Sequence, residues 1–319
     1  VARVTGRIEQ VVEPLDDGRF LSVFLLVGAR GVVLVDTGLA GTPERTIGPA
    51  LAARGLSWDD LRAVVVTHAD VDHCGGLGAV RRLAPRATTI AGAADRALVE
   101  SSELLLERRY RELRADHAID QTPAFSAWVR DNADDGTVDL ALDGDASLRV
   151  DDDWTVALLA APGHTAGHLV LHDAASATVV AADAVLGAAS PGADGGPAFA
   201  PTYRFLPGYR ETIARLRALG ARRLLCSHLR PLEGDAVGAY LDESAAFSER
   251  LEEALLAVLA DGREMTLAQL LVALSPTVAT WPEAARDTLG QPLLGHVEEL
   301  CAGGRLRRRP GLPARYALA

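Results

Sequence analysis

Short apolar, β-branched runs separated by turn residues set the pattern of the first two thirds of the chain. Leu21–Val27 and Val32–Val35 flank Gly28-Ala29-Arg30-Gly31, which predicts a β-hairpin, and Asp36-Thr37-Gly38 closes its second strand with a turn. Residues 43–54 read as a helix with Pro43 near its start. The run Ala63–Val66 predicts a strand, followed by a helix to about Leu83 and a short strand around Thr88–Ala91. Between about 93 and 135 the rhythm changes. Arg, Glu and Leu recur there at helical spacing, and the stretch predicts two or three helices inserted over the sheet edge, as packing or as a lid shaping a substrate pocket.

Strands resume at Val138–Leu142, Leu148–Val150, Thr155–Leu159, Leu169–Leu171 and Thr178–Ala182. A Gly/Pro-rich loop, Pro191–Pro207, carries Phe199, Tyr203 and Phe205, and a helix from about Tyr209 to Leu219 leads to a strand at Arg223–Cys226. From about Tyr240 the spacing becomes helical, with Leu251, Leu255 and Leu259 and then Leu293, Val297 and Leu300 on repeating faces. A basic, hairpin-like tail, Arg305–Leu318, follows, giving the outline of a winged helix.

The chemistry gathers where strands end. Thr67-His68-Ala69-Asp70-Val71-Asp72-His73-Cys74-Gly75-Gly76 follows a predicted strand, and a tight loop there can turn His68, Asp70, Asp72 and His73 into one hollow. Imidazole and carboxylate together suit divalent transition metals such as zinc, iron or manganese. In all, four predicted strands end within a few residues of His68, His164, Asp183 and His228, a placement that eight histidines scattered at random would rarely give.

Composition narrows the classes. A chain of 319 residues accommodates one large domain and a small one, and no apolar run is long enough to cross a bilayer. The N-terminal residues lack the apolar core of a signal peptide, so the expected compartment is the cytoplasm. Three cysteines are too few for a disulfide framework, and Cys74 and Cys226 read as small buried residues beside the ligands. The net charge of −11 argues against a broad nucleic-acid footprint. Lysine is absent, which excludes Schiff-base and lysine-nucleophile mechanisms. No Gly-x-Ser-x-Gly elbow, phosphate loop or dinucleotide fingerprint occurs.

Five separated motifs, taken in order, resemble the metallo-β-lactamase-fold superfamily: Asp36 in Val-Asp-Thr-Gly, the His68–His73 cluster, His164 in Pro-Gly-His-Thr, Asp183 in Ala-Asp-Ala-Val-Leu-Gly, and His228 in Ser-His-Leu-Arg-Pro. The resemblance covers roughly residues 20–231. It implies an α/β fold, a four-layer αβ/βα sandwich with metals at one edge of two facing sheets. It also implies a catalytic domain over 1–238, with the helical insertion at about 93–135, and a winged-helix-like domain over 239–319.

By the same resemblance one metal lies near His68, His164 and Asp183, and the other near Asp72, His73 and His228, with Asp183 bridging. Asp36 would steady the loop from behind the ligands, and His168 would support them rather than ligate. Two divalent ions are the implied cofactors, zinc first and iron or manganese next.

One departure bears on the carry-over. Many members have His where this chain has Asp70, so the motif here is His-x-Asp-x-Asp-His. Aspartate is a harder, anionic ligand, which tilts preference from zinc toward iron or manganese. The first metal is then weak or absent, or Asp70 ligates it, or Asp70 turns away to position a water. Direct ligation is the expectation taken forward, making the metal set His68, Asp70, Asp72, His73, His164, Asp183 and His228. Asp70 or Asp72 would serve as the catalytic proton shuttle.

The implied function is a metal-dependent hydrolase of a small ester, lactone or thioester, acting through a metal-bridged hydroxide. The aromatic residues of the insertion and loop point to an acyl or aryl substrate. Nucleic acid and membrane are not expected partners, and a homodimer is left open. A non-haem iron oxygenase or oxidase, a phosphodiesterase or nuclease, and a metal-stabilised binding protein are the competing readings.

Overall fold

The computed structural model describes residues 2–319. Two sheets face each other. The first has seven strands in chain order: Ala2–Arg3, Ile8–Pro14, Phe20–Gly28, Gly31–Val35, Leu61–Val65, Thr88–Gly92 and Leu140–Leu142. Its first four strands run antiparallel, and from Gly31–Val35 onward the pairings are parallel. The second has six, ordered Leu232–Glu233, Arg223–Cys226, Thr178–Ala182, Leu169–Asp173, Trp154–Ala160 and Ala146–Asp151. There only Thr178–Ala182 and Arg223–Cys226 are parallel neighbours.

Side-chain alternation builds the layers. In Phe20–Gly28, Phe24 and Leu26 point between the sheets, where they meet Trp154, Val156, Leu169 and Leu171 of the second sheet. Val23 and Leu25 of the same strand face outward onto Ile47, Leu51, Leu77 and Val80 of the covering helices. The second sheet turns Leu159, Val170 and Val179 outward onto Tyr209, Ile213 and Leu216 of the helix Leu206–Ala218. Helices therefore cover both outer faces, an αβ/βα sandwich.

Several expected boundaries shift. The insertion breaks into short helical segments: Arg96–Val99, Ser102–Leu105, Leu106–Tyr110, Glu112–His117 and Pro123–Asp131. Leu106–Tyr110 is a wide π-helical turn, a geometry that re-aims side chains within an otherwise regular helix. The helix expected from about Tyr209 begins at Leu206, because Pro207 fits the first helical turn, where its missing N–H costs nothing.

At the C-terminal end, helices Asp235–Val258, Leu267–Val278 and Gly290–Ala302 accompany a sheet of three strands. The third strand, Met265–Thr266, pairs with Arg315–Leu318 and is not apparent in the spacing. Asp235–Val258 runs unbroken past residue 238, and one apolar cluster continues from Leu224 of the second sheet to Leu251, Leu293 and Tyr316.

Candidate metal centre

The candidate ligands sit on loops at one edge of the sandwich, each delivered by a strand end. Leu61–Val65 of the first sheet leads to His68, and the short helix Val71–Cys74 carries Asp72 and His73. Trp154–Ala160 of the second sheet leads to His164. Thr178–Ala182 ends on Asp183, and a register shift between Val180 and Ala182, with Ala182 at φ 47°, turns the chain there. Arg223–Cys226 ends just before His228. Gly75 and Gly76 let the ligand helix press onto the backbone of Asn132 and Thr37, where a Cβ would collide.

Asp36 organises the first loop. At φ 64° it occupies a backbone region unusual for a non-glycine residue. Its carboxylate accepts hydrogen bonds from the Thr67 N–H (2.7 Å), from the Thr67 hydroxyl (2.9 Å) and from His73 Nδ1 (2.8 Å). Asp95 does the same between the two sheets. It accepts from the Ala69 N–H (3.0 Å), the Thr165 hydroxyl (2.5 Å) and the Gly167 N–H (2.7 Å), tying the His68 loop to the His164 loop. Burial raises the Asp95 carboxyl from its usual range.

These supports fix the tautomers. His73 Nδ1 donates to a carboxylate, so Nε2 is the nitrogen left to carry a proton or meet a cation. His164 Nδ1 lies 3.0 Å from the Thr202 carbonyl and His228 Nδ1 lies 3.1 Å from the Phe20 carbonyl; each must donate, which again turns Nε2 toward the site. The Thr67 hydroxyl is spent on Asp36, so it accepts from His68 Nδ1 at 3.0 Å. Four imidazoles thus turn Nε2 inward.

They converge on carboxylates. His228 Nε2 is 3.3 Å from both Asp72 Oδ2 and Asp183 Oδ2, and His73 Nε2 is 3.8 Å and 3.7 Å from the same two atoms. His68, His164 and Asp183 have ligand atoms mutually within 4.8 Å, and so do Asp72, His73 and His228. The buried Nε2 atoms of His68 and His73 have no hydrogen-bond partner among the described residues. Orphaned imidazole nitrogens facing carboxylates are a donor set that fits divalent cations.

The electrostatics say the same. Burial disfavours a charged His73, yet Asp72, Asp36 and Asp183 outweigh it and raise the ring to about 9. Burial likewise opposes charge on His228, but Asp183 and Asp72 push it well above the usual histidine range. His68 is held well below that range by burial and by His73. Asp183 and Asp72 lie below the ordinary carboxylate value: the histidines outweigh desolvation. Without a cation, protons fill the place it would take. Cation binding at pH 7.5 is therefore expected to release protons. Isothermal titration in buffers of different ionisation enthalpy measures this, and an enthalpy independent of buffer would contradict it.

Asp70 falls outside both groups of mutually close ligand atoms. Its carboxylate lies in the fork of Arg109, with Nε to Oδ1 at 2.7 Å and Nη2 to Oδ2 at 2.9 Å. Its Oδ2 is nonetheless 2.8 Å from His164 Nε2 and 3.5 Å from His68 Nε2. Arg109, which holds Asp70 well below the usual carboxylate range against desolvation, is not among the residues that the sequence motifs mark. A signal is present all the same: Leu105, Leu106, Arg109 and Leu113 fall on one helical face, and an arginine on an apolar face needs a buried partner.

His168 stacks on His68 with ring centroids 4.6 Å apart, and neither of its ring nitrogens has a partner among the described residues. Cys74 and Cys226 are buried, and burial pushes both thiols up. Tyr203, expected in the loop above the site, is fully buried instead. It stacks on Tyr209 at 4.2 Å and hydrogen-bonds His296 at 2.8 Å, so it belongs to the core.

The family model described as the metallo-beta-lactamase superfamily matches residues 16–228. The chain belongs to that superfamily. Its members are in general metal-dependent hydrolases, and the His/Asp groups here are the expected place for divalent metal. No curated protein matches significantly. Among solved structures, a metallo-beta-lactamase family protein from Thermus thermophilus is 25% identical with a TM-score of 0.78, covering 99% of this chain and 100% of that one. A beta-lactamase domain protein from Burkholderia ambifaria is 17% identical with a TM-score of 0.71, covering 100% and 93%. BJP-1, a subclass B3 metallo-beta-lactamase of Bradyrhizobium japonicum, is 20% identical with a TM-score of 0.52, covering 77% and 96%. The first two likenesses extend over the C-terminal helices. Among the described residues no helix is long and apolar enough to cross a membrane.

Because Asp36 orients both Thr67 and His73, Asp36→Asn is expected to weaken cation binding about 10–100-fold, the usual cost of losing such an outer partner. Competition against a chelator measures it. Affinity equal to the parent protein would show that Asp36 only supports the fold.

Proposed function

We propose that the protein is a metal-dependent hydrolase of a small ester, lactone or thioester. The observation that carries this reading is the convergence of His73 and His228 Nε2 on the carboxylates of Asp72 and Asp183, with His68 and His164 grouped about Asp183 on its other side. His68, His164 and Asp183 would hold one divalent cation, and Asp72, His73 and His228 the other, with zinc, iron or manganese suited to the mixed donors. Bound there, the cations supply a nucleophile from water at neutral pH and polarise the substrate carbonyl.

The chain's own residues handle the leaving group. Asp70 has both oxygens in the Arg109 fork, so proton delivery falls to Asp72, whose side chain is 25% exposed. A cavity of about 180 Å³ lies beside Arg109 and Thr165, next in the chain to His164, with Leu98, Ala166 and Phe205 and the charged Arg108, Glu112 and Arg204 in its walls. Its volume suits a short acyl or aryl group rather than a polymer. The basic tail supports this choice: Arg305, Arg308 and Arg309 pair with Glu252, Asp116 and Glu264, which leaves little charge for a nucleic-acid backbone. We read the C-terminal helices and sheet as a winged-helix-like unit that buttresses the insertion, with cytoplasmic location and homodimer formation as further expectations.

The test is turnover of aryl esters, lactones and thioesters by protein purified without added metal, then with zinc, manganese or iron. Hydrolysis should vanish with chelator and return with a cation. Hydrolysis indifferent to chelator, or oxygen consumption with iron in place of hydrolysis, would overturn the proposal.

A further inference from the structure

Arg109 is an arginine whose donors are nearly all spent beside the candidate cation site. Nε and Nη2 grip both oxygens of Asp70, Nη2 also lies 3.2 Å from His164 Nε2, and Nη1 donates to the His164 carbonyl at 3.2 Å. The Arg109 and Asp70 side chains are 5% and 13% exposed. Such a guanidinium has little left for a substrate anion. It is also held from behind, since Gln291 of the C-terminal helix donates to the Arg109 carbonyl at 3.2 Å and the π-helical turn carries Arg109 and Tyr110 together. Tyr110 in turn accepts from the Val71 N–H at 2.9 Å, between Asp70 and Asp72.

The two ligand groups therefore differ in charge. The Asp72, His73 and His228 group keeps an aspartate with no cationic side chain paired to it, among the described residues, other than the histidines themselves. Asp183 lies by both groups, so it does not distinguish them; the further aspartate at the His68 and His164 group is Asp70, and a buried guanidinium cancels it. We propose that Arg109 is a positioning residue that sets the charge of the first cation position, so that Asp70 lends no net negative charge there and the two positions bind cations with unequal affinity. This rests on the reading that divalent cations occupy these donors.

The experiment is a titration of the metal-free full chain with Co(II), followed by absorption and by chelator competition, for the parent protein, Arg109→Gln and Arg109→Lys. The parent should fill in two steps, tight and then weak. Removing the guanidinium charge should tighten the weak step about tenfold or more, through the Coulomb term alone. Arg109→Lys, which keeps the charge but not the fork, should stay near the parent. A weak step unchanged or weakened in Arg109→Gln, or lost equally in both variants, would mean that Arg109 orients Asp70 without setting charge, and the inference fails. Equal affinity of the two positions in the parent also overturns it. Failure of the parent to bind Co(II) at all would instead remove the hydrolase reading beneath it. Should Arg109→Gln fold poorly, Asp70→Asn gives the opposite sign: an uncompensated guanidinium beside the position should weaken the second step.

Discussion

Asp183→Asn is expected to abolish turnover, with a loss on the order of a thousandfold or more, because nucleophile and oxyanion charge would depend on the same cations. The substitution keeps the shape of the side chain and removes its charge. Asp183 Oδ2 lies 3.3 Å from His228 Nε2 and 3.7 Å from His73 Nε2, while the same residue groups with His68 and His164 on the other side. Among the described residues, no other carboxylate belongs to one ligand group and also reaches the histidines of the other so closely. Metal content should therefore fall at both positions, where loss of Asp72 should deplete mainly one. Elemental analysis alongside turnover separates the two. Full metal content with lost activity would mean that Asp183 serves the chemistry without holding cations.

How much of this was legible in the sequence depends on whether the determinant was local. The hairpin Phe20–Val35 and the strand before His68 were legible because their apolar alternation and turn residues lie side by side in the chain. The endings at His68, His164, Asp183 and His228 were legible for the same reason: each ligand directly follows its own strand. What stayed hidden were partnerships across long separations. Asp95 joins Ala69 to Thr165 and Gly167, and nothing near residue 95 announces it.

Arg109 reaches Asp70 from 39 positions away, marked only by its place on a leucine face. Tyr203 misled because aromatic residues in a Gly/Pro-rich loop suggest an exposed wall. Here the loop is pulled inward by the Tyr209 ring and by His296, which comes from the last helix. The Met265–Thr266 strand escaped notice because two residues carry no periodicity; only its pairing with Arg315–Leu318 defines it.

Raising the pH from 6.5 to 9 is expected to destabilise the metal-free protein while the metal-loaded protein holds its stability. The ring of His73 sits at about 9 in the fold against an ordinary 6.5, so the folded state binds its proton more tightly than the unfolded chain. Stability from that proton is fully present below about 6.5 and is lost as pH rises through about 9, a difference of about 3 kcal/mol for this ring. His228, raised in the same direction by Asp183 and Asp72, adds to the slope. The carboxylates work at the other end: Asp72 and Asp183 are lowered in the fold, so their contribution is present above the ordinary carboxylate value and fades as the solution becomes acidic.

A bound cation replaces the protons on the Nε2 atoms, and its affinity grows as competing protons leave, so its stabilisation increases over the interval in which the proton's disappears. Thermal unfolding at pH 6.0, 7.5 and 9.0, with and without saturating cation, should show two curves that diverge with pH. Curves that stay parallel would mean that the His73 proton and the cation do not share one place. In His73→Gln the metal-free curve should become shallower, because a side chain that cannot take a charge leaves only His228 to titrate against Asp72 and Asp183.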